Sequence, residues 1–312
     1  MSPRFAAYLF LLTASLIWGV AGPVIKYTLS YLPPFSFLFW RFLVTAVITL
    51  PFFLWYIKKH PISSKFIPRL VALGLLSTTI NLSFVFLGFN KTTALQGTLI
   101  TAMTPVFIAI GGVLFLRERV TRREQLGIAL AIGGTIFTVV EPLLRNGFRG
   151  AIDTTLGNLF LLGYNLSWMA YVLLSKHWQQ EEIRPFHITS IAFFVGAITF
   201  LPLAFFETSG KIPRFDLLPL QAILGILYMA ILSGFVGYLA YQIGLRKVEA
   251  GEADVFNYLH PVWAAAPSIL WLGETTSPTF FVGAILIAIG VFIAQYRPRL
   301  LRYFFLRKHI PA

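Results

Sequence analysis

The chain of 312 residues is 57% hydrophobic and 12% charged, with a mean hydropathy of +0.77, which is more apolar side chain than a water-soluble interior of this size can hide. A formal charge of +13 would suggest nucleic acid in a soluble protein, but here Lys and Arg gather at the ends of apolar stretches, where lipid phosphates lie, so no nucleic-acid partner is expected. With no cysteine, disulfides, thiolate metal sites and cysteine nucleophiles are excluded.

Apolar runs between charged or Pro/Gly breaks predict helices near 5–28, 35–57, 67–90, 94–116, 124–143, 155–177, 186–206, 217–245, 252–272 and 278–296. The first is too long for a secretory signal and lacks a small-residue cleavage site, so it reads as a retained helix. If alternate loops share one membrane face, that face collects eighteen of the 25 Lys and Arg residues, Lys58, Lys59, Arg122, Arg123, Arg246 and Lys247 among them. The opposite loops hold five. The positive-inside rule then places both termini in the cytoplasm, which requires an even number of spans, and ten satisfies it. The expected fold is an all-α integral membrane protein of the cytoplasmic membrane, with the lipid bilayer as solvent and a monomer expected.

The sequence also repeats itself. An offset of 156 pairs Ser77 with Ser233, Gly88 with Gly244, Pro105 with Pro261, Glu118 with Glu274, Gly127 with Gly283 and Gly134 with Gly290. Nearer the start of each half the offset is 150 or 151, pairing Trp18 with Trp168, Lys26 with Lys176 and Pro51 with Pro202. Five spans per copy is an odd number, so the second copy runs through the membrane upside down relative to the first. Two inverted five-helix repeats are expected, over 1–146 and 147–297, followed by a basic cytoplasmic tail at 298–312. Such repeats relate two halves by an in-plane axis and let them rock around a central site.

Several of these residues carry a resemblance. The run from Pro105 to Gly134, with FLRERVTRREQLGIALAIGG, and its second copy from His260 to Gly290 resemble the closing segment of an EamA repeat in the drug/metabolite transporter superfamily. The IWG of Ile17 to Gly19 and the WRF of Trp40 to Phe42 are similar to it as well. The resemblance implies ten helices, cytoplasmic termini, a cavity lined by helices 1–4 and 6–9, and helices 5 and 10 at the periphery. It implies carriers of amino acids, other metabolites or toxic compounds, often exporters. The chain departs from the common pattern in having His260 where many relatives carry Glu or Gln.

Polar side chains at membrane depth are functional candidates by default. Arg41, about two turns into its helix, either offers a donor fork to a carboxylate or phosphate, or snorkels, or braces nearby carbonyls. Lys26 and Lys176 read either as snorkelling anchors or as gating contacts on carbonyls or acidic groups, one per face. Glu118 and Glu274 are expected to cap the helix that follows each. Pro105 and Pro261 are expected inside helices, as kinks or hinges that free carbonyls. Thr101, Thr104, Asn257 and His260 form a polar cluster around them. His260 either titrates and couples protons or is a neutral, hydrogen-bonded core histidine. Asn81, Gln242 and the aromatic residues Trp18, Trp168, Tyr171, Tyr238 and Tyr241 complete the expected cavity wall. Gly127, Gly133, Gly134, Gly283 and Gly290 are read as close helix contacts.

No H-E-x-x-H, G-x-S-x-G or pair of intramembrane Asp residues supports an enzyme, and no metal site or catalytic residue is assigned. Without a Walker loop no nucleotide cofactor is expected, which leaves exchange or proton coupling. The reading is a secondary transporter of small metabolites, amino acids or similar amphipathic solutes foremost, working by alternating access as an exporter. A multidrug efflux carrier of the same fold, a channel and a non-transporting scaffold are the alternatives.

Overall fold

The computed structural model describes residues 3–116, 122–179, 183–248, 253, 255–274 and 278–295, and these are helical with short connections. The helices are α1 (Pro3–Thr28), α2 (Pro34–Lys59), α3 (Ser64–Lys91), α4 (Ala94–Thr101), α5 (Thr104–Leu116), α6 (Arg122–Gln179), α7 (Pro185–Glu207), α8 (Leu220–Lys247), α9 (His260–Leu272) and α10 (Pro278–Gln295). Among the described residues, α1, α2, α3, α7 and α8 are long and apolar enough to cross a membrane, and Ala94–Ile108, Gln125–Gly134 and Phe281–Gly290 are shorter apolar helices. Between 39% and 50% of the most apolar window of each long segment is buried in protein. The rest presents side chains such as Ile198, Phe206, Leu224 and Val47 outward, which only an apolar solvent accommodates. The expected tail at 298–312 and Glu118 lie outside the described residues.

The helices depart from expectation in two places. First, the segments expected at 94–116 and 252–272 are each interrupted. α4 stops at Thr101 and α5 starts at Thr104, while a 3₁₀ turn, Val255–Leu259, precedes α9 at His260. Pro105 and Pro261 therefore sit in the first turn of a new helix, where a missing N–H costs no hydrogen bond, and not in a helix interior as expected. Second, the loop expected near 144–154 is helical as well, so that helical residues run from Arg122 to Gln179.

A straight α6 would hold Ala131 and Asn165 about 51 Å apart. Yet Asn165 bonds to Ile100 O at 2.9 Å and to Thr104 at 2.9 Å, while Ala131 shares an apolar cluster with Leu99, Met103, Val106 and Ile287. The helical stretch therefore doubles back between Gly134, which meets Leu286 and Ile287, and Gly157, which meets Gly88 and Lys91.

Sequence-matched positions make matched contacts. Gly88 packs on Leu161 and Gly157, and its partner Gly244 packs on Leu11 and Ala7; Gly134 meets Gly283 O, and Gly290 meets Gly127 O. Gly133, also expected at a helix contact, has nothing within 4 Å of where a Cβ would lie. The irregular turns match too: π-helical turns span Leu75–Ile80 in α3 and Tyr228–Tyr238 in α8, and α5 and α9 restart at the matched residues Thr104 and His260. A two-repeat architecture fits these pairings.

Two helix starts are capped by carboxylates from distant parts of the chain. Pro34 opens α2 with no side-chain cap of its own, and Glu207, at the end of α7, accepts from Phe35 N–H at 3.1 Å and Ser36 N–H at 2.9 Å. Glu274 accepts from Ala94 N–H at 2.6 Å and Leu95 N–H at 2.9 Å, placing a carboxylate on the positive end of α4. That corrects the expectation that Glu274 caps the helix after it. Gly273 just before it has φ +62°, the left-handed stop that glycine permits at a helix end.

Candidate functional site

Helices α1, α2, α3, α4, α6, α8 and α9 surround a cavity between the two halves of the chain. Of the expected wall, Trp18, Arg41, Asn81, Thr101, Trp168, Tyr238 and His260 line it. The π-helical turns position several of them. In α3 the Asn81 N–H bonds to Leu76 O, five residues back, and delivers Asn81 to the wall; in α8 Met229, Ser233 and Tyr238 come from the wide turn itself. Such turns recur at functional sites because the extra residue redirects side chains without ending the helix.

The floor is aromatic. Trp18 and Trp168, matched in the two halves, meet edge to face with centroids 5.5 Å apart, and Tyr238 packs edge-on to Trp18 at 5.3 Å. The Trp18 indole donates to Ser233 O at 3.0 Å, and Tyr238 donates to Ser77 O at 3.2 Å. This pins the rings to backbone in both wide turns.

Arg41 is 1% exposed. Its guanidinium carbon lies 5.2 Å from the Phe42 ring centroid and 6.0 Å from that of Phe86. Its Nε and Nη1 have no hydrogen-bond partner, so it neither snorkels nor braces carbonyls through those atoms. Two further groups in the same wall are buried and lack partners: Asn81 Oδ1 and His260 Nε2. The Asn81 amide nitrogen is engaged, donating to Tyr164 O at 3.2 Å and Ser167 Oγ at 2.8 Å. Arg41 is the one Lys, Arg, Asp or Glu among the described lining residues.

Other expected residues lie elsewhere. Tyr171, Tyr241 and Gln242 do not line the cavity. Gln242 donates to the Tyr171 hydroxyl and accepts from Ser175 Oγ at 3.1 Å and Gln179 Nε2 at 2.7 Å, a polar plug toward the face where α1 begins. Lys176 lies beside the plug and donates to Leu245 O at 2.7 Å and Val248 O at 2.6 Å, covering the last carbonyls of α8. Its match, Lys26, donates at 3.3 Å to Asn90 O at the end of α3. Both lysines thus cap helix C-termini. Thr104 is a brace, its one hydroxyl proton lying between two acceptors, Thr101 O at 2.6 Å and Asn165 Oδ1 at 2.9 Å; Asn257 is buried off the cavity wall, as Pro105 is.

Sequence reasoning passed over Asn158 and Asn165, which hold α6 to the start of α4 and α5 through Thr92 and Thr104. Two asparagines seven residues apart on an apolar helix were a legible signal. It also passed over Glu207, whose sequence position gives no hint of a partner 172 residues away.

The cavity reaches Ile25, Phe89 and Thr98 near the face where α1 ends, while the Gln242 plug closes the other direction.

The model of the EamA-like transporter family matches twice, over residues 5–140 and 155–296. The chain is 26% identical over 298 residues to the uncharacterized transporter YyaM of Bacillus subtilis (strain 168), covering 95% of each. It is 27% identical to a probable amino-acid metabolite efflux pump of Salmonella typhimurium (strain LT2), covering 92% of this chain and 93% of that one. A similar pump of Escherichia coli (strain K12) is 26% identical. One crystal structure with 18% identity shares the fold, at a TM-score of 0.65 over 94% of this chain and 98% of the other.

Proposed function

The chain belongs to the EamA-like transporter family, and from that premise we propose that it is a secondary carrier that exports small amphipathic metabolites, amino-acid-derived ones foremost, by alternating access. It is a membrane transporter and not an enzyme. In this reading ten spans form two inverted repeats, 1–146 and 147–297, α6 supplies two of the spans by doubling back, and both termini lie in the cytoplasm of a cell whose plasma membrane holds the protein. The basic residues distribute accordingly.

The observation that carries the proposal is a cavity between matched halves, with unpartnered polar groups on the residues of its wall and one end closed by a buried polar plug. A channel needs a continuous polar path, and Tyr171, Gln242, Ser175 and Gln179 interrupt it. With termini inside, the open end faces outward and the plug faces the cytoplasm. Cargo bound against Trp18, Trp168 and Tyr238 gains by area and ring geometry, and closing the outer half while releasing the plug completes the cycle. The names of the relatives support export. Purified protein in proteoliposomes tests the reading: saturable flux with counterflow of preloaded solute is expected, and linear, non-saturating flux would favour a channel.

A further inference from the structure

The central cavity is unbalanced in charge. Arg41 is buried, supported on its faces by Phe42 and Phe86, with Nε and Nη1 unpaired and no carboxylate among the described lining residues. A buried cation of this kind is costly unless a negative group comes to it. The second unpartnered group, Asn81 Oδ1, is an acceptor and asks for an N–H or O–H. Three rings, those of Trp18, Trp168 and Tyr238, supply the apolar surface.

We infer that the preferred cargo is a monoanion: an amphipathic carboxylate with an apolar or aromatic body and a neutral hydrogen-bond donor beside the carboxyl, such as a 2-hydroxy acid or an N-acylated amino acid. This deepens the carrier reading and rests on it. The carboxylate sits on the Arg41 guanidinium and the hydroxyl or amide N–H donates to Asn81 Oδ1. A zwitterionic amino acid brings the same carboxylate but adds an ammonium, which must shed water within a cavity that already holds Arg41 and offers no anion of its own. A cationic amine is worse still, and a doubly charged phosphate monoester exceeds the single positive charge available.

The test holds the body constant and changes the charge. The full chain is purified, reconstituted in proteoliposomes, and assayed for flux and counterflow with 3-phenyllactate, phenylalanine and phenethylamine, then with 2-hydroxyisocaproate, leucine and 3-methylbutylamine. The hydroxy acids are expected to half-saturate at concentrations about tenfold or more below the amino acids, with no saturable uptake of the amines. Arg41→Gln is expected to abolish the hydroxy-acid advantage and Arg41→Lys to keep part of it. Thermal denaturation without solute checks folding, and Arg41→Gln is expected to melt no lower than wild type, since the charge removed has no ion partner. If amino acids exchange as well as or better than hydroxy acids, the charge inference falls and the carrier reading stands. Transport of amines alone overturns the inference in favour of cationic drugs, and the absence of saturable flux for all six compounds overturns both readings.

Discussion

Replacing Gln242 with Met removes the centre of the plug at nearly constant volume. Three buried hydrogen bonds vanish: to the Tyr171 hydroxyl, from Ser175 Oγ and from Gln179 Nε2. At about 1 kcal/mol each, the side closed in this structure loses roughly 3 kcal/mol relative to a state in which water reaches these groups. That is roughly a hundredfold in the equilibrium between them. The chain contains no cysteine, so a single Val172→Cys substitution, at a position 0% exposed one turn from Ser175, reports opening without interfering thiols. Maleimide labelling of Val172→Cys is expected to accelerate by one to two orders of magnitude when Gln242→Met is added. A change under about threefold in protein that remains monodisperse would mean that the plug is intact in every state, and the alternating-access role assigned to it would fail.

Glu274→Ala removes the acceptor for Ala94 and Leu95 N–H and is expected to cost about 1–2 kcal/mol, read as a lower melting temperature in detergent, with Glu274→Gln in between. Gly88→Ala and Gly244→Ala place a Cβ 2.6 Å and 2.5 Å from Leu161 and Leu11, so each is expected to cost about 1–3 kcal/mol and to lower the melting temperature by similar amounts. Gly133→Ala meets nothing within 4 Å and is expected to stabilise its helix by up to about 1 kcal/mol in the same assay. Trp18→Phe keeps a ring but leaves Ser233 O without its indole donor; weaker cargo-induced thermal stabilisation is expected, with about 1 kcal/mol lost in the unliganded protein.

Much of this molecule is readable before any coordinates. Hydropathy finds the helices because lipid demands long apolar runs, and the offset of 156 finds the matched packing at Gly88 and Gly244 because a duplicated interface must be built twice. Arg41, Asn81 and His260 stand out because polar groups are rare at membrane depth. What fails is angular and vertical placement. Trp168, Tyr171 and Ser175 share one face of α6, yet that face passes from cavity wall into plug within seven residues, and nothing in the sequence marks the level at which it does so. Pro105 illustrates another limit. Whether a proline kinks a helix or opens a new one depends on where the carbonyls before it find donors, here Asn165 for Ile100 and the Thr104 hydroxyl for Thr101, and those partners are tertiary. The doubling back of α6 is equally invisible to local propensity, since it shows only in what Gly134 and Gly157 meet on other helices.

The wide turns at Leu75–Ile80 and Tyr228–Tyr238 hold a reserve of register. Resolving such a bulge into regular α-helix rotates the remainder of the helix by about 100° relative to what precedes it while nearly all backbone bonds survive. Because the Tyr238 hydroxyl ties one wide turn to a carbonyl in the other, a change of register in either turn pulls on both, and Asn81 and Tyr238 are expected to leave the cavity wall together.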